Sequence, residues 1–166
     1  MNNSPKILTL KIPMGGLGYT LTGNDRDATK SAASDSAATS TDIRNGGATV
    51  TFNKGQVLKI VKARLIPVGA PGLQPGVGLN AADLKMVQGT GNFTKNPGSP
   101  EVPLSFLKYD TWEDKDFRME FSEDGSVLGI GTGSQVSVDD YNISSDYVGQ
   151  DADFAIEAIA ELYIGA

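Results

Sequence analysis

Apolar side chains occupy every second position from Phe154 to Ile164: Phe154, Ile156, Ala158, Ala160, Leu162 and Ile164, with Glu157, Ile159, Glu161 and Tyr163 among the residues between them. A strand sends alternate side chains to opposite faces, so this row forms one continuous apolar surface only if the segment is extended. Alanine and glutamate favour a helix, and Asp151 or Asp153 could cap one. A helix would, however, leave Ile156 and Ile164 off the stripe formed by Phe154, Ala158 and Leu162. The spacing therefore predicts a long strand over 153–164.

The same period recurs along the chain. Lys6 to Ile12 puts Leu8, Leu10 and Ile12 on one face and Ile7, Thr9 and Lys11 on the other, and Leu17 to Thr22 alternates in the same way. Phe117, Met119 and Phe121 alternate with Arg118 and Glu120; Val102, Leu104 and Phe106 alternate with Pro103, Ser105 and Leu107. Gln56 to Pro67 is a long strand rich in β-branched residues, and its doubled apolar positions, Val57-Leu58 and Ile60-Val61, point to a bulge or a central place in a sheet. Lys54-Gly55 reads as the turn of a hairpin joining it to Ala48–Asn53. Shorter strands are expected at Asp83–Gln88, Val127–Ile130 and Gln135–Val138, with a turn at Glu123–Ser126. Val68–Gly78 and Gly89–Pro100, dense in Gly and Pro, read as loops. With 20 Gly and 8 Pro in 166 residues, these segments predict one all-β domain spanning 1–166, an antiparallel β-sandwich or jelly-roll-like barrel with long loops.

One interval breaks the pattern. From Asn24 to Gly47 the composition shifts to Ser, Ala, Thr, Asp, Asn and Gly, with three basic residues and Ile43 its one large apolar side chain. Ordering each residue costs roughly 1–2 kcal/mol of backbone entropy, and so little apolar surface cannot offset it. The interval is expected to be a mobile excursion, removable from Arg26 to Asn45 without loss of the fold, or an arm that orders on a neighbouring subunit.

The composition excludes much chemistry. There is no cysteine and no histidine, so disulfides, thiolate nucleophiles, imidazole bases and the metal sites that depend on those ligands are all absent. The net charge of −6 argues against direct nucleic-acid binding. No window approaches the ~20 apolar residues of a membrane helix, and Met1–Pro5 lacks the pattern of a signal peptide, so synthesis in the cytoplasm and no membrane partner are expected. Gly129-Ile130-Gly131-Thr132-Gly133-Ser134 resembles a phosphate-cradling loop, yet Gln135–Val138 after it is strand-like and no lysine follows, which favours a turn or bulge. Trp112, flanked by Glu113, Asp114 and Asp116, is a candidate sugar-stacking platform with acids beside it, or simply a solvated loop. Asp139–Asn142 and Asp146–Asp153 hold enough oxygens for a structural calcium site but lack EF-hand spacing, and capping of turns is the simpler reading. No catalytic residue, cofactor site or metal site is assigned.

An acidic, loop-rich chain of alternating strands without imidazole or thiol chemistry resembles, in overall character, the small virion proteins of tailed bacteriophages, in particular β-sandwich capsid auxiliary or decoration proteins. The resemblance implies a noncatalytic structural protein located in the virion after synthesis in the host cytoplasm. Its partners would be copies of itself or other virion subunits, reached by loops or the N-terminal strand. The alternative expectation is a carbohydrate-binding or adhesive β-sandwich module, with a glycan as partner.

Overall fold

The computed structural model describes residues 4–14, 19–20, 24–25, 28–31, 43–69, 74–75, 86–95, 102–131, 133–139, 141–142 and 151–164. Its strands begin with β1 (Lys6–Pro13), β2 (Tyr19–Thr20), β3 (Asn24–Asp25), β4 (Ala28–Ser31), β5 (Arg44–Asn45), β6 (Ala48–Thr49) and β7 (Val57–Gly69). They continue with β8 (Gln74–Pro75), β9 (Met86–Lys95), β10 (Val102–Lys108), β11 (Glu113–Glu120) and β12 (Leu128–Ile130). The last are β13 (Gln135–Asp139), β14 (Tyr141–Asn142) and β15 (Asp151–Tyr163). No helix occurs among the described residues, and so none is long and apolar enough to cross a membrane.

Two antiparallel sheets pack face to face as a sandwich. The first runs β11-β7-β15-β1-β5-β6, with β2 paired to β15 and β8 to β7; the second runs β10-β9-β13-β4, with β12 paired to β9. β3 and β14 form a separate two-stranded ladder. The C-terminal row is a strand, inserted between β1 and β7, and it delivers Phe154, Ile156, Ala158, Ala160 and Leu162 to the interior. Leu8, Leu10 and Ile12 of β1 and Leu58, Ile60, Ala63 and Leu65 of β7 complete that layer. From the second sheet come Phe93, Leu104, Leu107, Leu128, Ile130 and Val136. Phe93 meets Phe117 edge to face across the interior at 5.4 Å, and Phe52 stacks on Phe121 at 4.2 Å. Such ring pairs contribute about 0.5–1.5 kcal/mol each beyond the area they bury.

β7 is both central and bulged. Ile159 stands opposite Lys62 but Ala160 stands opposite Ile60, so Val61 is an extra residue. That one insertion restores the inward phase, with Leu58 and Ile60 before it and Ala63 and Leu65 after it all buried. A second bulge in β10 overturns an expectation. Pro103 faces Asn92 and Phe106 faces Thr90, so Leu104 and Ser105 together oppose Gly91, and Ser105 takes φ 70°. Past the bulge the phase is reversed: Leu107 is fully buried and Phe106 is 41% exposed, the opposite of the simple alternation.

Three other expectations are corrected. The Lys54-Gly55 turn exists, with Gly55 at φ 88°, but β6 does not pair with β7; it folds back on β5, and Phe52 bridges to Ser126 instead. Gly89–Lys95 is strand, not loop. Its glycines serve close approach: a Cβ on Gly89 would lie 2.4 Å from the Gln135 carbonyl oxygen, and one on Gly91 would lie 2.7 Å from Ile156 Cδ1 of the opposite sheet. Within 24–47, β4 pairs with β13, β5 pairs with β1, and Ile43 is fully buried, so removing Arg26–Asn45 would take out core and ladder together. The rest of that interval, 26–27 and 32–42, lies outside the described residues, as do parts of the expected strand at Leu17–Thr22 and of the Val68–Gly78 run, where β7 extends to Gly69 and pairs with β8.

The two glycines should respond differently to alanine. Gly91→Ala meets only the end of the Ile156 side chain, which can swing away, and is expected to cost about 1 kcal/mol or less; Gly89→Ala meets backbone and is expected to cost about 1–3 kcal/mol. Urea unfolding midpoints for the two variants would test this, and equal midpoints would contradict the geometry.

Candidate functional site

The sandwich presents two outer faces of contrasting chemistry. On the first sheet the alternate residues left outside by β1, β15, β7 and β11 line up in cross-strand rows. Lys11, Glu157 and Arg64 form one; Thr9, Ile159, Lys62 and Asp114 form the next; Ile7, Glu161, Lys59 and Arg118 form the third. Charges of opposite sign mostly face each other, the arrangement that stabilises a sheet surface. The exception is Lys59 opposite Arg118, a repulsive pair set in a cleft of about 550 Å³ with Val57, Asp116 and Tyr163. Arg118 is tied to Glu120 at 2.9 Å, and Glu161 lies across from Lys59, so carboxylates bracket both cations and the cleft has no net positive charge to hold an anion.

The expected sugar platform at Trp112 is already covered. Arg64 Cζ lies 4.5 Å from the indole centroid and Lys62 Nζ 5.2 Å from it. The guanidinium is fixed in turn, donating through Nε and one terminal nitrogen to Glu157 Oε1 at 3.0 and 2.7 Å and through the other to Asp110 Oδ1 at 2.9 Å. Asp110, at φ 50°, also donates its amide to the Leu65 carbonyl. Trp112 thus belongs to a clamp that fastens the β10–β11 corner to β7 and β15, and Glu113 turns to Lys108 at 3.3 Å. Sequence reasoning found the indole but missed Arg64, because the cation lies on a strand nearly fifty residues earlier, |i−j| being 46 from Asp110.

Of the Gly129–Ser134 run, Gly129 and Ile130 belong to β12 and Thr132 lies outside the described residues; Ser134 donates its amide to the Gly131 carbonyl, while its buried hydroxyl accepts from the Asn92 amide at 2.8 Å and donates to the Asn92 carbonyl at 3.2 Å. Of the calcium candidates, 140 and 143–150 lie outside the described residues; Asp139 ends β13, and no group of three or more acidic side chains gathers as a cation site among the described residues.

Among the described residues, two titratable groups are displaced from their usual range. Burial lowers the Lys115 ammonium, against the opposing pull of Glu113, and this lysine donates to the Phe106 carbonyl. The Tyr163 phenol is raised, chiefly by the hydrogen bond it donates to Glu161 Oε2 at 2.7 Å.

Among the described residues, three large apolar side chains are exposed: Ile7 at 61%, Phe106 at 41% and Ile164 at 76%. Among the described residues no strand pairs with Ile7 on the β5 side of β1. Thr9 donates its amide to Asn45 Oδ1, which shows that residues of odd number on β1 turn their backbone groups toward β5, while the residues of β1 in register with β5 are Leu10 and Lys11. The amide and carbonyl of Ile7 therefore point past the end of β5.

No protein-family model, curated protein or solved structure matches the chain.

A raised phenol favours the folded state fully at pH below the ordinary value of 10 and loses that contribution as pH climbs through the folded value. Glu161→Ala, which removes both the acceptor and the charge, should lower the titration of one tyrosine in ultraviolet absorbance; an unchanged curve would show that the Tyr163–Glu161 bond does not hold the proton.

Proposed function

We propose that this chain is a noncatalytic structural subunit that assembles with copies of itself, and that its setting is a virion, as a capsid or capsid-decoration component. The observation that carries the reading is the open edge of β1. A strand edge with free backbone groups is a template for another strand, and proteins that remain monomeric usually guard such edges with charge, proline or a covering segment. Around Ile7 the outward side chain is instead a large apolar one, 61% exposed. A neighbour's strand laid along it would extend the sheet through backbone hydrogen bonds and cover Ile7 at the same time. The absence of histidine and cysteine supports the noncatalytic half, and the resemblance in overall character to small virion proteins of tailed bacteriophages supplies the setting.

The test uses the geometry of the edge. Ile7→Pro removes the one amide that faces outward there without touching the β1–β15 ladder, a position where a sheet tolerates proline. Light scattering of the wild-type chain should give the mass of an oligomer and that of Ile7→Pro a monomer with an unchanged far-ultraviolet circular dichroism spectrum. A monomeric wild-type chain at all concentrations, or a variant that assembles equally well, would overturn the reading.

A further inference from the structure

The second sheet presents the opposite chemistry. On its central strand β9, Gly89, Gly91 and Phe93 turn inward and are buried, so alternation sends Gln88, Thr90, Asn92 and Thr94 outward. All four are uncharged hydrogen-bonding side chains. The neighbouring strands continue the surface in register: Thr90 has Phe106 beside it on β10 and Gln135 on β13. With strands about 4.8 Å apart, this row sets an aromatic ring and an amide roughly 10 Å from each other across a hydroxyl. Among the described residues Lys108, beside Gln88 in the next row, is charged and is engaged with Glu113.

Phe106 reaches the surface only because of the β10 bulge. Regular alternation after Leu104 would bury Phe106 and expose Leu107; instead Ser105 adopts φ 70°, a conformation that residues other than glycine rarely take. Bulges commonly re-aim a side chain at a functional site, and backbone strain of this kind persists where the surroundings enforce it. Lys115 fixes the result by donating to the Phe106 carbonyl from β11.

We propose that this face binds a neutral oligosaccharide, with Phe106 as the stacking platform and the amides of Asn92 and Gln135 as the hydroxyl-reading groups. A pyranose has one apolar C–H face suited to an aromatic ring, and hydroxyls that both donate and accept, as side-chain amides do. The row Phe106, Thr90 and Gln135 itself carries no charge from which an uncharged ligand would have to strip water. The charged outer face of the first sheet has no such property, and Trp112, the aromatic that sequence alone favoured, is occupied by Arg64. This site stands apart from the β1 edge, so binding and assembly can be measured separately.

The experiment is isothermal titration of the full chain with a panel of neutral oligosaccharides (cellohexaose, maltoheptaose, chitohexaose, xylohexaose and mannohexaose), with heparin as the charged counterpart. At least one neutral member is expected to bind and heparin is not. Phe106→Ala should weaken that binding about tenfold or more, as loss of a central aromatic contact does. Gln135→Glu changes an exposed residue without touching the core and should weaken binding by a similar factor, which keeps the test valid if Phe106→Ala fails to fold. Trp112→Ala should leave the affinity unchanged. The proposal is overturned if no neutral member binds, if heparin alone binds, or if affinity survives both Phe106→Ala and Gln135→Glu.

Discussion

The antiparallel ladder between β7 and β15 joins the middle of the chain to its last strand, and the rest of the first sheet is built on its two sides. It runs from the pair Ala152–Gly69 to the pair Tyr163–Val57, joining residues such as Arg64 and Glu157 that are 93 positions apart. Closing a loop of that length costs about 4 kcal/mol in its length-dependent term alone. Full burial of a large apolar side chain is worth about 1.5–3 kcal/mol, so Phe154, Ile156 and Leu162 together exceed that cost before any hydrogen bond is considered. Because β15 stands between β7 and β1, the N-terminal strand and the β5–β6 pair beyond it join the rest of the first sheet only through the C-terminal strand. Such a fold is dominated by non-local pairing, the class that folds slowly and in an all-or-none manner.

Once that ladder is set, single-residue insertions decide what faces water. Val61 in β7 and the Leu104–Ser105 pair in β10 each shift the period by one, with opposite outcomes. The first keeps large side chains inside on both sides of the break. The second turns Phe106 out. The β11 partner of β7 is irregular at the same level, where Lys115 and Asp116 stand opposite Val61 alone, so the first sheet twists locally at the point where Lys115 reaches across to β10. The two bulges are therefore connected through one lysine, and the position of Phe106 depends on both.

The strands that could be read from sequence were those whose partners merely had to exist: β1, β11 and β15 show clean alternation because each buries one face whatever lies beneath it. The doubled apolar residues of β7 also announced a bulge, since no regular strand hides consecutive large side chains on one face. What could not be read depended on particular distant residues. The glycines of β9 look like turn residues until Gln135 and Ile156 are seen to occupy the space a Cβ would need. Ile43 looks isolated until the core receives it. Phe106 and Leu107 are both apolar, so the sequence holds no sign of which is inside; the choice rests on a backbone conformation at Ser105 that serine does not advertise. For the same reason the one tryptophan drew attention that belonged to a phenylalanine.

The division of charge between the two outer faces bears on use as well as solubility. A sandwich of this size needs charged surface to stay dispersed, and among the described residues the cross-strand charge rows stand on the first sheet, while Gln88, Thr90, Asn92 and Thr94 on the central strand of the second carry none. A charged lattice such as Lys11–Glu157–Arg64 is satisfied within the subunit and offers little to a partner, since exposed ion pairs contribute only about 0–1 kcal/mol and are screened by salt. Contact with other molecules is then left to the places where the lattice stops: the edge at Ile7, where backbone groups lack a strand, and the neutral face around Phe106. These lie on different sheets, so a subunit joined to its neighbours along β1 would keep the Phe106 face turned outward, free to meet a ligand while the assembly remains intact.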